Sequence, residues 1–173
     1  FSGYYLWIQN DPRRLAFNNY PSATTSVASD SSENLSTRVI IKDLQINIPL
    51  IPAHVKDNTW ETTEDGASYL TSSPLPGTDG NSVIYGHNWP VLLGNLVHAQ
   101  PGQQVEIVYA DGSKKKFVIE YTSTVSPTQS SILAPSKDKR ITLYTCTGFL
   151  DSKRFVVVAL YDDEEPSFST VTH

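Results

Sequence analysis

The sequence predicts an all-β fold, a sandwich or a barrel, on three observations. Beyond about residue 37, short runs of β-branched and aromatic residues recur between clusters of turn residues. Two alternating runs flank "ADGS" at 110–113, where Asp-Gly readily takes the positive φ of a tight hairpin. No segment keeps an apolar helical period long enough for a bundle.

The elements follow in order. "FSGYYLWIQ" is too short and too polar to cross a bilayer and is expected to follow a removed anchor or signal segment. Residues 18–36, "NNYPSATTSVASDSSENLS", hold too few large apolar groups to offset the entropy of ordering them, so 1–36 reads as an arm and polar linker. "TRVIIKDLQINIPLIP" reads as two strands meeting near Lys42-Asp43. "TTEDGASYL" and "VLLGNLVHA" have room for two helical turns each, and "TQSSIL" for one. "NSVIYGHN" is a strand led in by Gly77, Asp79 and Gly80, and "QQVEIVYADGSKKKFVIEYTSTV" is the hairpin. "RITLYTC" and "RFVVVALY" are the last two strands, with "VVVAL" buried on both faces. The folded domain spans 37–162, and 163–173 reads as a solvated acidic and polar tail.

Composition excludes several classes. A chain of 173 residues fits one domain with its own core. A net charge of −5 argues against nucleic-acid partners, and "KKK" at 114–116 reads as a solvated strand end. The single Cys forbids an internal disulfide and any zinc site built on two or more cysteines. No carboxylate cluster demands a metal, and no glycine-rich loop points to a phosphate-bearing cofactor, so no cofactor is expected.

The chemistry centres on that one thiol. A lone Cys is ordinarily a small buried hydrophobe. Cys146, however, stands where one strand ends, so its backbone is held while its sulfur can face a groove. A free thiol with pKa about 8.5 needs a base or cation beside it to act as a nucleophile. Of the four His, His87 alone follows a strand directly, with Gly86 allowing close backbone approach. Arg154 opens the next strand; if that strand runs antiparallel to the Cys146 strand, its guanidinium lies near the sulfur, placed to stabilise a developing oxyanion. A surface ion pair with Asp151 or Asp162 is the alternative use of that Arg.

Gly86-His87 after a strand, Thr142-Leu143-Tyr144-Thr145-Cys146 within a strand, and Arg154 opening the next, in that order, resemble the sortases, cysteine transpeptidases of bacterial cell envelopes. The resemblance runs from about Val39 to Tyr161. It implies a closed eight-stranded β-barrel with a few short helices and no metal in the chemistry. It also implies attack by Cys146 on an LPXTG-like sorting signal to give a thioacyl enzyme, proton transfer by His87, and a hold on substrate or oxyanion by Arg154. The implied partners are proteins bearing that signal and an amine acceptor from a cell-wall precursor or a pilin lysine. The implied place is the outer face of the cell membrane. Thr145 matches a family position lining the oxyanion site, and Trp89, just after the His, is a candidate groove wall. Two features depart from the pattern. Only seven residues, 147–153, join Cys146 to Arg154, and Asp11-Pro12 resembles the Asp-Pro-aromatic lid of pilin-polymerising sortases with Arg13 in the aromatic's place. The rival class is a secreted β-barrel adhesin or carbohydrate-binding module using the nine Tyr as stacking surfaces. A papain-like protease fits less well, because the order here is His before Cys.

Overall fold

The computed structural model describes residues 12–20 and 35–163. Expectations for the anchor-proximal start, Asp11, most of the polar linker and the acidic tail fall outside these residues. Ten strands follow in chain order: β1 (Ser36–Ile41), β2 (Ile46–Ala53), β3 (Val55–Lys56), β4 (Thr59–Trp60), β5 (Ala67–Leu70), β6 (Gly80–Tyr85), β7 (Gln104–Tyr109), β8 (Lys114–Val125), β9 (Lys139–Thr147) and β10 (Lys153–Tyr161). Eight of them close a barrel in the order β1-β2-β5-β6-β9-β10-β8-β7, while β3 and β4 form a separate two-stranded ribbon. The β1–β2 junction turns through Lys42–Leu44 and β7–β8 through Asp111-Gly112, where the sequence placed them.

One expectation is overturned. "TTEDGASYL" ends in a strand, not a helix: β5 lies parallel to β2 and antiparallel to β6, and all four of its residues are buried. The ladders on both sides satisfy its main chain in a way a short helix could not in that slot. "VLLGNLVHA" and "TQSSIL" each supply a single 3-10 turn, Gly94–His98 and Ser130–Leu133.

Strand alternation sorts the apolar residues into two layers. Val39, Ile84, Phe117, Leu143, Val157 and others from all eight strands fill the barrel interior. On the opposite face of β6, β9 and β10, Val83, Tyr85, Tyr144, Cys146, Val156 and Val158 form a second apolar layer. This explains why "VVVAL" lacks polar alternation: Val156 to Ala159 are buried on both faces.

The N-terminal segment covers that outer layer. Residues 12–20 cross it as a strap beginning with a 3-10 turn at Pro12–Leu15. Leu15 and Phe17 are fully buried, each contributing about 1.5–3 kcal/mol. The Phe17 ring meets Tyr144 edge-on at 4.8 Å, and Tyr20 meets Trp60 of β4 at 5.3 Å. Two main-chain acceptors anchor the strap further: Leu15 O takes a hydrogen bond from the Tyr144 hydroxyl at 2.7 Å, and Pro127 O takes one from Asn18 N at 2.8 Å.

Candidate active site

The barrel register brings three distant side chains to one rim. Cys146 and Arg154 are direct partners across the antiparallel β9–β10 ladder. In the parallel β6–β9 pair, Tyr85 is opposite Tyr144, so His87, two residues on, runs out beside Cys146, also two residues on. The bond from Gly86 N to Tyr144 O at 3.3 Å continues this pairing past the strand end. Thr145, fully buried, locks it from the other side, donating its hydroxyl to Gly86 O at 2.8 Å.

The strap closes the rim. Cys146 is only 3 % exposed, and its Sγ donates to the Arg14 carbonyl at 2.8 Å rather than to the imidazole. Arg154, also buried, donates from Nη2 to Ala16 O at 3.0 Å and from Nη1 to Asp151 O at 2.8 Å. Its Nε has no partner. The alternative use of Arg154, an ion pair with Asp151, is not the one observed: its guanidinium goes to main-chain acceptors, and the Asp151 carboxylate pairs with Arg14.

Burial and charge set the protonation states. Burial pushes the Cys146 thiol above the ordinary thiol range, opposed by the nearby Arg154 and Arg14 guanidinium groups. Burial also lowers the His87 pKa, helped by Arg14 and opposed by Glu64. Both shifts favour the neutral thiol and neutral imidazole, so the covered site rests as an uncharged pair.

The ring of His87 stacks on Trp89, with centroids 4.5 Å apart and planes 10° from parallel. Trp89 therefore lies flat against the imidazole. A turn holds the two: Leu93 N donates to His87 O at 3.1 Å, and Gly94 N donates to Trp89 O at 2.8 Å. Sequence reasoning passed over two neighbours, Arg14 and Asn88, and considered Asp151 only as an ion-pair partner of Arg154. Arg14 and Asp151 face each other across the rim, and Asn88 Nδ2 reaches both Cys146 O and Asp151 Oδ1 at 3.3 Å. The available signals were adjacency of Asn88 to His87 and the Leu15–Phe17 alternation just before the polar linker. Among the described residues, no group of His, Cys, Asp and Glu is placed to hold a metal ion.

The Sortase domain family profile matches residues 39–162, most of the chain. The chain belongs to the sortase family. Sortase A from Corynebacterium diphtheriae, in a lid-mutant form, is 29% identical, with a TM-score of 0.66 over 78% of this chain and 74% of that one. Listeria monocytogenes sortase A (22% identical, TM-score 0.60, 75% and 88% covered) shares the fold. So does Streptococcus agalactiae sortase C1, solved with MTSET (23%, 0.64, 75% and 69%). No curated protein sequence matches the chain. The neighbours span sortases of more than one class, so the family is assigned and the subclass is not. The sortase barrel expected from the motif order is the fold observed. Sortases are cysteine transpeptidases that act at the cell envelope, and this chain carries its one cysteine at a strand end. No helix among the described residues is long and apolar enough to cross a membrane.

Proposed function

We propose that this sortase cleaves an LPXTG-like sorting signal through a thioacyl intermediate on Cys146 and transfers the acyl group to an amine of a cell-wall precursor or a pilin lysine. The observation that carries the reading is the pairing of Cys146 with Arg154 across one ladder, with His87 brought alongside by another. The strap must first leave, because Arg14 O occupies the hydrogen-bonding position on the sulfur.

Once substrate replaces the strap, the thiol proton passes to His87 and sulfur attacks the Thr carbonyl carbon. Arg154, freed from Ala16 O, has a donor available to the oxyanion or the substrate backbone. The C–N bond breaks as His87 returns the proton to the departing amine. In the second half, the nitrogen lone pair of the acceptor attacks the thioacyl carbon, His87 takes its proton, the C–S bond breaks and the thiolate is restored. Trp89 keeps the imidazole plane fixed throughout, and the buried Thr145–Gly86 bond holds the two strand ends in register. The protein acts at the outer face of the cell membrane, where sorting signals and acceptors meet.

The test is incubation with LPXTG-like peptides, with and without an added amine, and mass analysis of products. Ligated product that needs the amine is expected. An intact peptide after treatment with the wild type and with a strap-loosened variant would overturn the reading. A non-catalytic carbohydrate-binding module would present a cluster of exposed Tyr faces, whereas among the described residues Tyr69, Tyr85, Tyr109 and Tyr144 are buried and only Tyr121 is exposed.

A further inference from the structure

The pairing of Arg14 with Asp151 shows what the Cys146–Arg154 connection is built to hold. The same residue, Arg14, gives its carbonyl to the thiol and its guanidinium to the Asp151 carboxylate. Whatever lies across the sulfur with a cation one side chain away therefore meets this carboxylate. Asp151 is aimed inward by its backbone: Leu150 and Asp151 both take positive φ, 52° and 57°, after Gly148 at 79°. Two consecutive non-glycine residues in that region carry a conformational cost that a loop exposing the carboxylate to water would not need. Asn88 then fixes Oδ1, and the Asp151 side chain stays only 11% exposed.

Displacing the strap removes the cation and leaves the Asp151 carboxylate with one amide donor, Asn88, and its main-chain oxygen tied to Arg154. A carboxylate that has lost its cation beside the sulfur favours a new positive group in the same place. The reaction supplies one, since an alkylamine acceptor reaches a neutral-pH site as an ammonium. We infer that Asp151, positioned by Asn88, is the recognition residue for the cationic amine acceptor, and that Arg14 occupies its place in the covered state. The inference rests on the transpeptidase reading and adds the acceptor's docking point. Asp151 binds the ammonium beside the thioacyl group; His87 takes one proton from it, which frees the lone pair for attack on the thioacyl carbon, and the second N–H proton passes to the departing sulfur as the C–S bond breaks. The expected signature is a change in capture of the amine, not in formation of the thioacyl enzyme.

The experiment compares wild type, Arg14→Ala and Asp151→Asn. Both substitutions break the latch, so both speed peptide consumption. Asn tolerates positive φ at least as well as Asp, which keeps the loop backbone unchanged. Each protein is given an LPXTG-like peptide with acetyl-lysine amide, or with hydroxylamine, which is uncharged at neutral pH, and the ratio of ligated to hydrolysed product is read. Asp151→Asn is expected to lower the ratio for acetyl-lysine amide about tenfold relative to Arg14→Ala, the scale of one lost charge-assisted contact, while the hydroxylamine ratio stays within about twofold. Equal ratios in the two variants would make Asp151 a latch residue only and overturn the inference. A loss that appears only with Lys in the X position of the peptide, and not with Ala, would assign the carboxylate to the sorting signal and overturn it as well. Absence of any cleavage in wild type and Arg14→Ala would instead sink the transpeptidase reading itself.

Discussion

Cys146 and Arg154 are register partners across the β9–β10 ladder, with both side chains under a strap whose carbonyls take their hydrogen bonds. The thiol donates to Arg14 O and the guanidinium to Ala16 O, two strap residues apart. The pair is thus held ready but occupied by the chain's own backbone.

Substitution at the rim separates chemistry from fold. Cys146→Ala should abolish peptide cleavage, and His87→Ala should leave at most about a hundredth of it, the scale of a lost general acid–base. Arg154→Ala should lower turnover about 10²- to 10³-fold, as removal of an oxyanion donor does. Far-ultraviolet circular dichroism should be unchanged in all three. Full cleavage by the His87 variant would remove that residue from the mechanism.

Loosening the strap should speed the first half-reaction. Leu15→Ala removes a fully buried side chain, at a cost of about 2–5 kcal/mol in a rigid core and less where the strap can shift. Because that loss falls on strap docking and leaves the barrel interior intact, the variant should react with a methanethiosulfonate reagent at least tenfold faster than wild type. Equal labelling rates would show that the strap does not limit access to the thiol.

The acid–base state gives a pH signature. Burial raises the Cys146 pKa, so alkylation of the wild type should inflect above the ordinary thiol range. His87 has its folded pKa depressed, so the unfolded chain binds the extra proton more readily. Its contribution to stability is present above the unfolded value of about 6.5 and is lost as pH falls from there through the folded value. Urea midpoints measured from pH 7.5 downward should fall less steeply in His87→Gln than in wild type.

Gly94 offers a test of how the His87 ring is held. A Cβ there would lie 2.7 Å from Trp89 O and 2.9 Å from Asn88 O, backbone atoms that must move to admit it. Gly94→Ala is expected to cost about 1–3 kcal/mol and to lower turnover by moving Asn88 and Trp89. A thermal midpoint and turnover equal to wild type would argue against rigid support of the imidazole by this turn.

Much of this was legible in the sequence because the signals were local. The Asp-Gly turn, the apolar run of β10 and the strand-terminal positions of Gly86-His87, Cys146 and Arg154 can each be read without knowing what packs against them. Other features depend on a partner elsewhere. Four residues of β5 carry no period that separates a buried strand from a helical turn, and only the flanking ladders of β2 and β6 decide. The β3–β4 ribbon turns on Asp57 and Asn58, both at positive φ, a residue pair suited to that turn that went unread. The strap is the hardest case, since Leu15 and Phe17 run straight into a polar linker and their burial depends on Tyr144, far along the chain.

The nucleophile and the guanidinium sit in the final two strands of the barrel, whereas the imidazole follows the sixth. Closure of that wall needs the parallel β6–β9 pairing, a non-local step that forms slowly compared with hairpins. A chain emerging from synthesis therefore carries an isolated histidine and no thiol until β9 is made, and the strap residues are made before either. The sulfur is therefore made only after the residues that cover it, so the thiol and its cap can come together in the same folding event.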